Sequence, residues 1–505
     1  MATVLVLWLW LGLGISAAAK TSLFLWNWIW TPLSLVRSCR RQGIAEHPRS
    51  LPIWQLLSFS KFVRLNLDSW TGLIELGHQE KVFYFVAGTK VRMSIRDPSL
   101  VRQILIDNAT CYSKPSFIRS LKILGNGLFS ASGDLWDNQR QLLGRIFHTK
   151  AIKNHFESIL TSALKVTEMW GNELENNCRE VDINQEFLDI MVELIGKIAF
   201  DADLSIPSGN LSMISKSFKR YLHNKWQICF GPAATIPWYK ILNMHLVKEI
   251  YEDECQLSNL VKEVIKNRQC SNASTLDEVD HDPILIDRLL DAKSLVSSCN
   301  ISTGQVLDNC LTFLLAGHET TSSLLSWTVY LLSLNQLWQE RARAEVQEFF
   351  SWHMHWKNLT NLKLINMILF ESLRLFPPQP VIGRHCMKKN LVGEYEVDKG
   401  MEILIPIAAL HRDQDLWGDD ANEFRPSRFA NGINGACKDP SAYLPFGTGP
   451  RTCIGQTLAL TEARTILAVM LDNYAWELSP AYKHYPHVTL TLQPKFGMPI
   501  LITKL

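Results

Sequence analysis

Residues 445–455 read Pro445-Phe446-Gly447-Thr448-Gly449-Pro450-Arg451-Thr452-Cys453-Ile454-Gly455, a glycine-rich loop that closes on one cysteine. Glycine accepts backbone conformations that a Cβ penalises, so Gly447 and Gly449 predict a tight path, and Phe446 offers a ring to shield one side of whatever the loop holds. Directly after the thiol, "IGQTLALTEARTILAVM" carries the apolar periodicity of a helix. Cys453 therefore stands at a helix N-terminus, where free N–H groups and the dipole favour an anion, and it is expected to lose its proton more readily than an average thiol. By itself the loop leaves two readings open: a buried cysteine in a glycine turn, or a thiolate that binds a metal.

The second reading narrows quickly. No cysteine or histidine sits at ligand spacing from Cys453, and none of the 11 cysteines forms a C-x-x-C pair, which disfavours zinc. Haem iron needs only one protein ligand and takes the rest from its porphyrin, and Arg451 is placed to pair with a porphyrin carboxylate. The odd cysteine count in 505 residues also argues against a disulfide framework and for a reducing compartment. With 47% hydrophobic residues and a net charge of only +2, the chain has the composition of an enzyme-sized core and no electrostatic footprint for nucleic acid.

The N-terminus is compositionally distinct. From Ala2 to Ala19 the chain carries no charge, and 18 helical residues reach about 27 Å, close to the thickness of a bilayer core. A second uncharged run, Thr21 to Val36, contains Trp26, Trp28 and Trp30 and is followed by Arg37, Arg40 and Arg41. This predicts a single-pass anchor with the body on the cytosolic side, whereas a cleaved signal peptide would need basic residues ahead of the apolar run. The anchor is assigned to residues 1–36 and the body to 37–505, one domain without repeats or linkers. Helical periodicity dominates the body, as in "FESILTSALKVTEMWGNELEN" and "LTEARTILAVMLDNYAWEL". Short strand-like pieces are "KVFYFVAG", "MEILIPI" and "HVTLTLQP", and 268–282 reads as a surface loop.

Three further motifs precede the cysteine loop. "LLAGHETTSSLLSW", Leu314 to Trp327, places Ala316, Gly317, His318, Glu319, Thr320 and Thr321 inside an apolar helix, which is costly unless the polar groups are used. "ESLR" supplies Glu371 and Arg374, three apart on one helix face, and "FRPSRF" supplies Arg428. "WDNQR" puts Trp136 and Arg140 one turn apart, and Arg384 follows in "PPQPVIGRHC".

In this order and spacing the motifs resemble those of the cytochrome P-450 monooxygenases: F-x-x-G-x-R-x-C-x-G at Phe446, Gly449, Arg451, Cys453 and Gly455; A/G-G-x-D/E-T-T/S at 316–321; E-x-x-R at Glu371 and Arg374; and F-x-P-x-R-F at 424–429. The resemblance runs from about residue 40 to the C-terminus. "RRQGI", "LWGDDANEFRP" and "YLPFGTGPRTCIGQ" are more narrowly similar to plant non-A-type enzymes, in the clan that includes hormone and terpenoid hydroxylases. Two departures stand out. "AEHPRSLP" replaces the proline-rich hinge after the anchor, and Ser427 replaces a glutamate common in that segment.

The resemblance implies a mainly α fold with small β-sheets and haem b held by the Cys453 thiolate. Phe446, Gly447, Gly455, Arg451, Trp136, Arg140, Arg384, Ala316 and Gly317 would line or hold the cofactor. Glu371, Arg374 and Arg428 would form a structural network. Ala316 and Gly317 would leave space over the iron, with a local opening of the helix there. Dioxygen activation consumes two protons, which Thr320 backed by Glu319 would deliver; His318 reads as a local hydrogen-bonding or surface residue.

"GNGLFS" at Gly125 lacks the third glycine of a dinucleotide loop, so electrons from NADPH would arrive through a membrane-bound NADPH–cytochrome P-450 reductase. Arg140, Arg145, Lys150 and Lys153 offer either a docking face for such an acidic partner or an ordinary solvated surface. The expected activity is hydroxylation of a lipophilic substrate at the endoplasmic reticulum membrane. The pocket is expected to draw on the 105–130 loop, on Trp226, Phe230 and Trp238, and on residues after Pro378. A haem-thiolate isomerase or dehydratase, and a non-catalytic haem-binding protein, are the alternatives.

Overall fold

A single long helix organises the computed structural model. The structure describes residues 26–47, 70–75, 80–87, 90–115, 124–172, 178–204, 211–230, 244–274, 284–294, 301–350, 355–359 and 361–505, with isolated positions 16, 22 and 118. The helices used below are α1 (Asp134–Gly144), α2 (Ile183–Phe200), α3 (Leu211–Phe230), α4 (Met244–Ser274), α5 (Thr303–Leu334), α6 (Lys363–Leu375) and α7 (Gln456–Asn473). The chain is mainly helical with small sheets, as expected from its sequence.

Helix α5 begins at a capping box, in which the Ser302 hydroxyl accepts from the Gln305 N–H while the Gln305 side chain accepts from the Ser302 N–H. It is buried almost all round, so its apolar residues do not need to keep to one face. Its principal partner is α2, and α7, α6 and α4 also pack on it. At Gly317 the two helices leave no room for a side chain: a Cβ there would lie 2.8 Å from the Ile195 Cδ1.

Beside the helices lies a six-stranded sheet of β1 (Ala45–Glu46), β2 (Val82–Ala87), β3 (Lys90–Ile95), β4 (Tyr112–Ser113), β5 (Ile382–Cys386) and β6 (Glu402–Ile405), ordered β1-β2-β3-β6-β5-β4. The register sets Arg384 opposite Ile403 and Arg92 opposite Glu402, and the latter two form an ion pair at 3.0 Å. Tyr84, Met93, Ile95, Ile403 and Ile405 fill the core beneath the sheet.

Three local readings are corrected. The 460–478 stretch is helical only to Asn473; Tyr474–Leu478 pairs antiparallel with Pro499–Lys504, because Tyr474, Trp476 and Leu478 alternate and pairing outweighs helix continuation. "HVTLTLQP" is a hairpin rather than one strand, turning at the Thr489 N–H to Thr491 carbonyl bond, with Pro486–Val488 against Leu492–Pro494. Residues 268–274 continue α4 instead of forming a loop, held by Arg268, which reaches Asp287 at 2.8 Å and Asp201 at 2.7 Å; residues 275–283 lie outside the described set.

At the N-terminus, Trp26–Trp30 leads into a helix over Thr31–Arg41 that crosses position 36 and buries Leu35 and Cys39 against the sheet, leaving Trp26 and Trp30 exposed. Among the described residues no helix is long and apolar enough to cross a membrane; Ala2–Ala19 lies, but for Ser16, outside them.

Glu371 and Arg374 of α6 are fully buried and bonded in two places, at 2.7 and 2.8 Å. The remaining donors of Arg374 go to the carbonyls of His411, Ala421 and Glu423, and the Arg425 N–H donates to Glu371. Arg428 stands 3.7 Å from Glu371 and 3.0 Å from Asp420, closing the three-residue network. Replacing Glu371 by Ala leaves a buried guanidinium without its counter-charge, and is expected to cost about 3–5 kcal/mol in chemical denaturation; a loss below about 1 kcal/mol would show that the pair is solvated in solution.

Candidate functional site

The cysteine loop owes its path to two glycines. Gly447 and Gly449 both adopt positive φ, +68° and +73°, a region that charges any side chain about 1–2 kcal/mol. At Gly449 there is also no room, since a Cβ would lie 2.1 Å from the Leu105 carbonyl oxygen. The Cys453 N–H then donates to the Phe446 carbonyl at 2.9 Å, closing the loop two residues ahead of the Gly455 cap of α7. His411, which the sequence reading missed, ties this loop to α6: its Nδ1 donates to the Arg374 carbonyl at 3.1 Å and its Nε2 accepts from the Leu444 N–H at 2.9 Å. Burial and the Arg374 charge push its pKa down to about 3, which keeps the ring neutral for both bonds.

Cys453 faces a cavity lined chiefly by apolar side chains. Of the residues singled out in the sequence, Phe446, Gly447, Arg451, Gly455, Arg384, Ala316, Gly317 and Thr320 share that lining with Cys453. Trp226, Ile118, Phe129 and Pro378 also reach it; Trp238 and the side chain of Phe230 lie outside the described residues. Burial pushes the thiol pKa up, against the pull of the Gly455 N–H and of Arg140. The expectation of an unusually acidic thiol is thus corrected: desolvation outweighs the helix terminus, and it takes a metal cation to make the thiolate the stable form.

Helix α5 runs unbroken past the cavity, so the expected local opening is absent. Instead the Thr320 hydroxyl returns to the Ala316 carbonyl at 2.7 Å. Glu319 is not part of the cavity lining; its Oε2 is buried without a hydrogen-bond partner among the described residues, while Gln493 donates to its backbone carbonyl at 3.0 Å. Burial raises its pKa to about 7. His318 is buried against Phe218 and bonds the Leu314 carbonyl, so it is a local hydrogen-bonding residue and not a surface one. Burial lowers its pKa to about 4.

Three cations meet in the cavity wall: Lys114, Arg384 and Arg451. Among the described residues none of them forms an ion pair, and the Arg451 Nη1 is buried without a hydrogen-bond partner. Burial and mutual repulsion push Lys114 well below the usual lysine range, and burial brings both arginines down to about 10. Such a cluster is unfavourable by itself and fits a ligand that brings two carboxylates, as a porphyrin does. The thiol, the small residues Ala316 and Gly317 of α5 in the same lining and the cation cluster therefore fit haem together. No periodic pattern announces Lys114, a single residue in "YSKPS", and the sequence reading passed it by.

Trp136 and Arg140 of α1 stand behind the loop and not in the lining: the Arg451 guanidinium lies over the Trp136 ring at 4.2 Å, and Arg140 donates to the Thr452 carbonyl at 2.9 Å. They brace the cysteine loop from the side of α1.

The sequence is also similar to known proteins. The family model described as Cytochrome P450 matches residues 53–500. Cytochrome P450 72A397 of Kalopanax septemlobus is 34% identical over 83% of this chain and 80% of its own length. The 11-oxo-beta-amyrin 30-oxidase of Glycyrrhiza uralensis is 32% identical over 94% of this chain and 93% of its own. Cytochrome P450 734A1 of Arabidopsis thaliana is 32% identical over 83% and 79%.

The two loop glycines make a graded test. Gly449→Ala, which collides with backbone, is expected to lower stability by more than about 2 kcal/mol, and Gly447→Ala, whose Cβ would find 3.7 Å of room, by about 1 kcal/mol. Equal losses in thermal unfolding would mean that the loop shifts away from Leu105.

Proposed function

The chain belongs to the cytochrome P450 family and is a haem-thiolate monooxygenase; from that premise we propose that it hydroxylates a small lipophilic substrate, a terpenoid, a steroid-like hormone or a fatty acid. The observation that carries the reading is the cavity itself, in which a cysteine faces apolar walls and three cations that form no ion pair among the described residues. When bound, haem supplies the redox chemistry of dioxygen activation, inserting one oxygen atom into the substrate and releasing the other as water.

This chain's own residues supply the rest of the proposal. Cys453 ligates the iron, and Lys114, Arg384 and Arg451 hold the porphyrin carboxylates. Trp136 and Arg140 keep Arg451 and the loop in place. Ala316 and Gly317 leave the cavity open beside α5, and the Thr320 hydroxyl moves a proton with Glu319 behind it. Glu371, Arg374 and Arg428 serve structure alone. Apolar walls such as Ile118, Phe129, Trp226 and Phe313 favour a hydrophobic guest and exclude water. The terpenoid choice has support from the two relatives named 11-oxo-beta-amyrin 30-oxidase, from Glycyrrhiza uralensis and Medicago truncatula.

Residues 1–36 form the anchor in this reading and 37–505 the catalytic domain, on the cytosolic face of the endoplasmic reticulum membrane. Electrons come from NADPH through NADPH–cytochrome P-450 reductase. The exposed Trp26 and Trp30, with Arg37 close over Trp30, suit an interfacial position.

Two measurements test the proposal. The reduced, carbon-monoxide-treated protein is expected to show a strongly red-shifted Soret band that Cys453→Ser abolishes; a band unaffected by the change would end the thiolate assignment. Thr320→Ala is expected to divert NADPH consumption several-fold from product to peroxide; unchanged coupling would remove the hydroxyl from proton delivery.

A further inference from the structure

Two buried carboxyl groups stand near the cavity, Glu319 on α5 itself and Glu462 on α7, and only the second opens onto it. Glu319 is held at its backbone carbonyl by Gln493, and its side chain does not line the space beside Cys453. Glu462, on α7, does line it, one turn beyond Leu458 and next to Ala459 on the same wall. Glu462 is 2% exposed, and its Oε2 is 3.4 Å from the hydroxyl of Thr321, which is equally buried and lines the cavity beside Thr320. What perturbs its carboxyl is burial, opposed only by that hydroxyl, and the result is a pKa of about 8. A carboxyl in this state is a neutral acid at neutral pH and holds a transferable proton. Thr321 is also unlike its neighbour: Thr320 closes its hydroxyl onto the helix, whereas the hydroxyl of Thr321 reaches across to another element.

We propose that Glu462 and Thr321 form a proton-delivery pair for the cavity, separate from Glu319 and Thr320. The Glu462 carboxylic acid gives its proton to the Thr321 oxygen while the Thr321 proton passes to the acceptor in the cavity. This leaves a Glu462 carboxylate, which a proton drawn from bulk solvent returns to the acid before the next transfer. The net transfer is one proton, one of the two that reduction of dioxygen requires, and no electrons move through the pair. The inference rests on the monooxygenase reading. Glu462 acts through Thr321 and is in that sense a positioning residue.

Glu462→Gln separates this role from a structural one, because glutamine reproduces the size and hydrogen bonding of the neutral acid but has no proton to give. Infrared spectra of the full chain, without turnover, are expected to show a protonated-carboxyl band above neutral pH that disappears in Glu462→Gln and persists in Thr321→Val. In reductase-reconstituted protein, both variants are expected to consume NADPH about tenfold more slowly, with a larger solvent isotope effect. Glu462→Asp is expected to restore part of the rate. Persistence of the band in Glu462→Gln, or parental rates and isotope effects in that variant, would overturn the proposal. If Glu462→Gln does not fold, the rate and isotope effect of Thr321→Val decide alone. The carbon-monoxide spectrum of the unmodified protein keeps the two readings apart: its absence sinks the monooxygenase, while its presence alongside unaffected variants sinks only this pair.

Discussion

The buried ion pair between Glu371 and Arg374 is the constraint on which the site depends. Removing both charges from water costs several kcal/mol each, and the Coulombic gain repays this only where geometry is good and every remaining donor is used. Here the carboxylate meets the guanidinium in two bonds, and the other donors of Arg374 end on three carbonyls spread from His411 to Glu423. One side chain thus fixes the approach of a 13-residue stretch to α6. Through His411 the same arrangement reaches Leu444 and sets where the cysteine loop begins.

From there the loop has little freedom. Gly449 passes so close to Leu105 that only hydrogen fits, and Arg140 and Trp136 secure the far side at Thr452 and Arg451. The scaffold spends stability at the cavity itself. A thiol whose ionisation its surroundings oppose and three clustered cations that form no ion pair among the described residues are local violations of what a folding core prefers. Both are relieved by one ligand that carries a metal cation and two carboxylates, so the strain of the unliganded wall and the affinity for haem are the same quantity seen from two states.

Much of this was legible in the sequence, because the loop, the threonine helix and the E-x-x-R helix are short, local patterns whose spacing survives in a linear reading. What stayed hidden were single residues given meaning by the fold. Lys114 has no periodic partner, and only the pairing of Tyr112 with Cys386 brings its strand beside Arg384. His411 lies 37 positions from the carbonyl it bonds. Glu462 reads as one more acid on a helix until α7 is packed on α5. Trp136 and Arg140 were recognised as a pair, but whether they face the cavity or brace its loop is set by the angle of α1, which i, i+4 spacing does not encode. Tyr474 shows the converse, a helical-looking run that β pairing claims once Pro499–Lys504 lies alongside.

Helix α5 shows how a buried element separates structural from functional polarity. A hydroxyl inside an apolar helix is cheapest when it bonds the carbonyl four residues back, and Thr312, Thr328 and Ser333, away from the proposed proton path, all do so. Those that reach elsewhere do something the helix alone does not need. Ser323, with the Trp327 indole, donates to the Leu492 carbonyl and fastens the C-terminal hairpin to the helix. Thr321 reaches Glu462. A buried acid next to an apolar cavity is more stable neutral than charged, so the burial that makes this wall apolar also favours the protonated form of Glu462. The same burial thus sets both the apolar lining of the cavity and the protonation of the acid in its wall.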